Sequence, residues 1–179
     1  MNAGTRDAEI SVLWLKAFGV HAVSVPGANS HEYFQVFANS HKFDGVLPLI
    51  WNQDAKIYAI PNRSSSLAHI VPANAIVRHQ PINGLDVGEL STYVRALEDP
   101  SLPTASVEWH NLHSLRVETS LRRGQVVSVQ ETYAHGWHAT VDGRSVPLWR
   151  DGLGQMVVQP DCSGRCEIEI TYDGGVERG

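Results

Sequence analysis

From about residue 105 onward the apolar residues recur at every second position, and that period commits the C-terminal part of the chain to strands with one dry and one wet face. Leu115, Val117, Thr119 and Leu121 alternate with Arg116, Glu118 and Ser120. Arg123-Gly124 turns the chain into a second run, in which Val127, Val129 and Tyr133 share a face. Trp137, Ala139 and Val141 alternate with His138, Thr140 and Asp142. Asp142-Gly143 is a two-residue hairpin turn, because both residues take positive φ at low cost. Val146 and Leu148 return from it, and 156–158 with Ile168, Ile170 and Tyr172 complete the series. Roughly six short strands with closely spaced turns read as an antiparallel sandwich of jelly-roll character.

Upstream the period is that of a helix. Ile10, Leu13, Trp14, Ala17 and Phe18 fall on one helical face, and Gly19 follows where a left-handed cap would sit. Residues 20–25 read as a short strand bounded by Pro26-Gly27, apolar enough to expect cover on both faces. Asn29 and Glu32 offer a capping box for a helix carrying Tyr33, Phe34, Val36 and Phe37. Further strands are expected at 46–51 and 56–60, and on either side of Pro72 at 68–71 and 75–78. Asp86-Val87-Gly88-Glu89 is a second capping-box pattern, opening a helix with Leu90, Tyr93, Val94 and Leu97 on one face. The chain therefore reads as α+β, with a small α/β subdomain at 1–85, a linking helix and loop at 86–104, and an antiparallel β-sandwich at 105–179.

Charge narrows the partners. The 14 Lys and Arg against 19 Asp and Glu give a net charge of -5, and only Arg122 and Arg123 are adjacent. A surface that neutralises phosphates needs clustered cations, so no nucleic-acid partner is expected. No apolar run approaches the roughly 18 residues that cross a bilayer, and the longest, 46–51, contains Pro48. The first seven residues lack the apolar core of a secretion signal. Taken as a whole protein, such a chain points to the cytoplasm. Taken as a piece of a longer one, it leaves the compartment open.

Cys162 and Cys166 flank the turn-forming triplet Ser163-Gly164-Arg165, just before the alternating run 167–172. Two cysteines facing each other across a tight turn can meet disulfide geometry. So short a loop contributes only about 2 kcal/mol or less. In a reducing compartment the pair stays as thiols, and as half of a zinc site it lacks two further ligands nearby. The disulfide is the preferred reading.

A search for chemistry returns little. No Gly-rich phosphate loop and no G-x-S-x-G elbow is present. The run from His31 to Gln35 puts glutamine where a zinc-protease helix needs its second histidine. His110 and His113 stand three apart at a strand entry, which points them to opposite faces. His135 and His138 bracket Gly136-Trp137, where a bend is more credible, yet both pairs read first as surface residues. Asp142 and Asp151 lie beside glycines, where aspartate serves local backbone hydrogen bonds. No catalytic residue, metal site or cofactor is expected. Aromatics are the better lead: exposed rings of Tyr133, Trp137 and Trp149 would stack on sugars while Asp142, Arg144 and Asp151 supplied hydrogen bonds. For Trp137 the preferred reading is instead a place in the core, since it shares its phase with Ala139 and Val141. Tyr133, Trp137, Trp149, Asp142 and Asp151 are the candidate glycan contacts.

The stretch from Gln130 to Leu148, with Tyr133, Gly136-Trp137 and Asp142-Gly143-Arg144, resembles a C-terminal signature of bacterial polytopic membrane proteins of the YfhO-like type. The closing strand 166–172 ending in Tyr172, the entry 15–23 and the strand 56–61 are similar to the same family. The turn between the two cysteines departs from the family's commoner form. The resemblance implies a parent that looks like a C-type glycosyltransferase, with many membrane helices handling a lipid-linked sugar and a domain outside. The catalytic carboxylates of such enzymes belong to loops near early membrane helices, so none carries over to this chain. What the resemblance implies here is a non-catalytic extracytoplasmic domain at a bacterial cell membrane. Its expected partners are the membrane-embedded portion of the same polypeptide and a glycan or lipid-linked sugar. The competing readings are a free-standing carbohydrate-binding module and, more remotely, a hydrolase or metal enzyme on the same strands.

Overall fold

A computed structural model of the chain describes residues 3–27, 30, 31 and 37–175. Backbone contacts divide the chain into two compact units, 1–62 and 63–179. The fold is α+β and mostly sheet, with three antiparallel sheets among the described residues.

The first unit contains α1 (Ala3–Ala17), β1 (Ala22–Pro26), β2 (Leu49–Asn52) and β3 (Ala55–Ala59), the strands lying in the order β1-β3-β2. Val23 pairs with Tyr58, and these two with Val25 face a core completed by Ala8, Phe43, Leu47 and Ile60. The other face of β1, at Ala22 and Ser24, is exposed. Cover on both faces was the expectation for a crossover strand; an antiparallel three-stranded sheet needs burial on one face only. Helix α1 buries Ala17 of its strongest apolar stripe, yet a second stripe meets the sheet core. Ala8, Val12 and Leu15 meet the core, whereas Trp14 and Phe18 stack on each other at 6.2 Å and Phe18 stays 47% exposed. The helix is apolar on two sides, and its smaller side chains let it approach the sheet. The capping box at Asn29 and most of its helix fall outside the described residues.

The second unit contains β4 (Ala68–Pro72), α2 (Gly88–Leu97), β5 (Ser106–Asn111), β6 (Ser114–Leu121), β7 (Gln125–Thr132), β8 (Trp137–Val141), β9 (Arg144–Val146), β10 (Leu148–Arg150), β11 (Gln155–Val158) and β12 (Gly164–Tyr172). They form a four-stranded sheet in the order β10-β11-β7-β4 and a five-stranded sheet in the order β5-β6-β12-β8-β9. Ile70, Val127, Val129, Met156 and Val158 of the first meet Leu115, Val117, Ala139, Ile168 and Ile170 of the second in one core. The alternate residues of β7 are buried too, because α2 packs on the opposite face and its Tyr93 hydroxyl meets Ser128 Oγ at 2.7 Å. The unit is thus three layers deep.

The division between units falls at 62/63, not after 85. Strand β4 pairs with β7, Ile70 opposite Val127, which draws residues 63–85 into the sandwich. Helix α2 is a layer of that unit and not a link between two. Residues 75–78 form no strand: a 3-10 turn at Ala73–Ala75 follows Pro72, and Val77 O accepts Gly152 N–H at 2.7 Å. The return from the Asp142-Gly143 hairpin splits at Pro147, which has no N–H for a ladder, and the chain passes there from the five-stranded to the four-stranded sheet. The second capping box is also absent. Val87 is the N-cap and makes no side-chain bond, while Glu89 accepts the N–H groups of Arg78 at 2.7 Å and His79 at 3.1 Å.

Candidate functional site

Two of the five candidate glycan contacts, Tyr133 and Trp137, flank the loop between β7 and β8 and pack against the same core. Strand β7 delivers Tyr133 and β8 begins at Trp137, which pairs with Tyr172 at the end of β12. The Trp137 and Tyr172 rings stand 5.3 Å apart at 49°, and His113 stacks on Tyr172 at 5.9 Å. Tyr133 meets His135 edge-on at 5.8 Å. Trp137 is half-buried and packs against the core beside Ala139, as its phase implies. Tyr133 is half-buried against the same core, with its N–H donating to Gly154 O at 2.9 Å. His138 Nε2 lies 2.8 Å from Asp173 Oδ2. The Gly175 N–H, and then His138, hold the Asp173 carboxyl below its ordinary value.

The other three candidates lie elsewhere. Asp142 sits exposed at the tip of the β8–β9 hairpin with φ 50°, at the far end of β8 from Trp137. Trp149 is half-buried in β10 opposite Val157; its neighbour Leu148 packs into the core, so the alternation turns Trp149 to the sheet's other face. Asp151 is buried in the β10–β11 turn, where Oδ1 accepts the N–H groups of Leu153 at 2.9 Å and Gln155 at 2.8 Å. Asp142 thus stands away from Trp137, and Asp151 is engaged within its own turn.

No family model, curated protein or solved structure matches this chain.

Its chemistry rests on its own residues. Among the described residues no three His, Cys, Asp or Glu side chains gather to hold a metal. His110 lies 3.9 Å from Glu169, and His135 and His113 each pack against a tyrosine ring. Cys162 and Cys166 form a disulfide, with the Cα atoms 6.1 Å apart. It anchors the start of β12, where buried Cys166 pairs with Thr119.

One polar constellation escaped the sequence reading. In the first unit Asp44 accepts the Tyr58 hydroxyl, His41 Nδ1 at 2.7 Å and Lys56 Nζ at 3.3 Å, and Lys42 pairs with Asp7. Tyr58 above all, then His41, hold the Asp44 carboxyl down to about 2. Burial, with the Asp44 bond, pushes Tyr58 up to about 12. A carboxylate so fully engaged is a weak base, and the cluster ties the turns at 40–46 to β3. Its members come from separate segments and fit no motif, so only a fold brings them together.

Proposed function

We propose that this chain is a non-catalytic extracytoplasmic domain of a membrane glycosyltransferase-like protein, supporting the membrane-embedded portion of the same polypeptide. One observation carries the reading: the conspicuous residues of the 136–143 run are each occupied in holding the fold. Gly136 makes room for Tyr172, Trp137 packs on the core, and Asp142-Gly143 closes a hairpin. A signature spent on packing fits a supporting domain better than a reaction centre. The disulfide favours an oxidising compartment. Leu49, Ile50 and Trp51 are 46%, 59% and 52% exposed on consecutive positions of β2, an apolar edge that favours a partner surface.

The test uses the full gene expressed in bacterial cells. A cysteine at exposed position 123, made as Arg123→Cys, is labelled by a membrane-impermeant maleimide in intact cells. Labelling only after lysis contradicts the assignment, as does turnover of a sugar donor by the isolated chain.

The partly exposed Trp149, turned away from the sandwich core, favours a second reading, a carbohydrate-binding module. Millimolar glycan binding that disappears in Trp149→Ala, from a gene with no membrane segment, would put that reading first.

A further inference from the structure

The turn between β10 and β11 is a junction. Asp151 N–H donates to Gln155 O at 2.9 Å and Gly154 N–H to Asp151 O at 3.2 Å. Gly152 N–H donates to Val77 O at 2.7 Å, and Gly152 lies so close to the next strand of chain that a β-carbon would meet His79 O at 2.4 Å. Gly154 O in turn accepts Tyr133 N–H. The turn thereby fastens both the segment after β4 and the loop that precedes Trp137.

Asp151 holds this turn from inside. One carboxyl oxygen, Oδ1, takes two amide N–H groups, while Oδ2 is buried with no hydrogen-bond partner among the described residues, and the residue is 7% exposed. A full negative charge shared with a buried oxygen that no described residue partners is strongly disfavoured. The neutral acid keeps Oδ1 as an acceptor and leaves much less charge unsolvated. We propose that Asp151 keeps its proton where exposed carboxylates have lost theirs, and that its ionisation loosens the β10–β11 turn as a pH-responsive joint.

The surrounding groups bear this out. Burial pushes the acid up and outweighs the turn amides and Arg150 of β10, all of which favour the charge. From α2 comes the Tyr93 hydroxyl, bonded to Ser128 and reaching Gln155 at 3.4 Å. From the 76–79 segment comes His79, whose ring is paired with Glu89 at 2.7 Å. Gln155 of β11 is uncharged.

The sign follows. Below the ordinary carboxylate value of 3.8 both folded and unfolded chains hold the proton, and the joint is fully closed. As pH rises past that value the unfolded chain ionises first, so this contribution to stability declines until the folded acid ionises too. The test is a carbon-13 titration of side-chain carboxyls in the whole chain, read together with amide exchange. Asp151 is expected to titrate above the other carboxylates, with protection at Leu153, Gln155 and Tyr133 falling across the same step. A midpoint at or below about 4, or a step that leaves those amides unchanged, overturns the proposal. Asp151→Asn is the second arm. Its folding constant relative to the native chain rises with pH above about 4, by up to about tenfold per unit; a ratio that stays constant with pH also overturns it.

Discussion

The ring of Tyr172 occupies the space in which a β-carbon on Gly136 would stand, with 2.5 Å from that position to Tyr172 Cε2 and 2.5 Å to the Gly175 nitrogen. The need for glycine here is one of room, because one of the two obstacles is backbone and cannot rotate away. Gly136→Ala is expected to destabilise the chain by about 1–3 kcal/mol, the range for overpacking a tight site. Gly4→Ala is the control, since Gly4 is exposed and no described atom lies within 4 Å of its β-carbon position. That substitution is expected to be neutral or stabilising by up to about 1 kcal/mol. Urea unfolding of the two variants reads both signs.

Which parts of this were legible beforehand follows from what a period records. Alternation along 115–121, 137–141 and 166–172 marks a strand whose two faces differ, and β6, β8 and β12 stand there, while β7 stands at Gln125–Thr132 with both faces covered. Alternation also put Trp137 against the core. A period does not tell where a strand finds its partner, so residues 68–72 gave no sign that they would complete the four-stranded sheet beside β7. Nor does it separate two apolar stripes on one helix: α1 turns Ala8, Val12 and Leu15 to the sheet core, buries Ala17 and leaves Phe18 exposed. The capping-box pattern at Asp86 and Glu89 has the right spacing, but Glu89 finds two amide donors and a histidine on the preceding loop, a tertiary attraction stronger than a local cap. These contacts hold it down to about 2, the His79 ring contributing most. The Asp151 turn was read correctly as local, while the burial of its second oxygen depends on layers that only the fold assembles.

His69 sets a slope in neutral to mildly acidic solution. It is buried in β4 with Nε2 2.9 Å from Gln130 Oε1, and burial lowers its affinity for a proton from the ordinary 6.5. Above that value the histidine is neutral in both states and its contribution is fully present. As pH falls below it the unfolded chain takes up a proton that the folded chain refuses, and stability drops until the folded group titrates. The native chain should therefore lose up to about 1.4 kcal/mol per pH unit relative to His69→Gln. Chemical unfolding of the pair between pH 7.5 and 5, about the window in which an ordinary histidine titrates, reads the difference directly.

The disulfide should matter locally. Five residues from Cys162 to Cys166 close a loop whose entropy is worth about 2 kcal/mol or less. Reduction, or replacement of both cysteines by alanine, is expected to lower the melting temperature by a few degrees and leave the circular dichroism of the sheets intact. Calorimetry with and without reductant checks this, and the double variant should show no response to reductant.

Trp137 packs on the sandwich core and tilts against Tyr172 at 5.3 Å. Urea unfolding of Trp137→Ala in the whole chain measures what that side chain does. A loss of about 2–4 kcal/mol, somewhat below a fully buried aromatic, is the expected result. An unfolding midpoint equal to that of the native chain would contradict it, because the ring would then be spare for a ligand and the 136–143 run would not be spent on holding the fold.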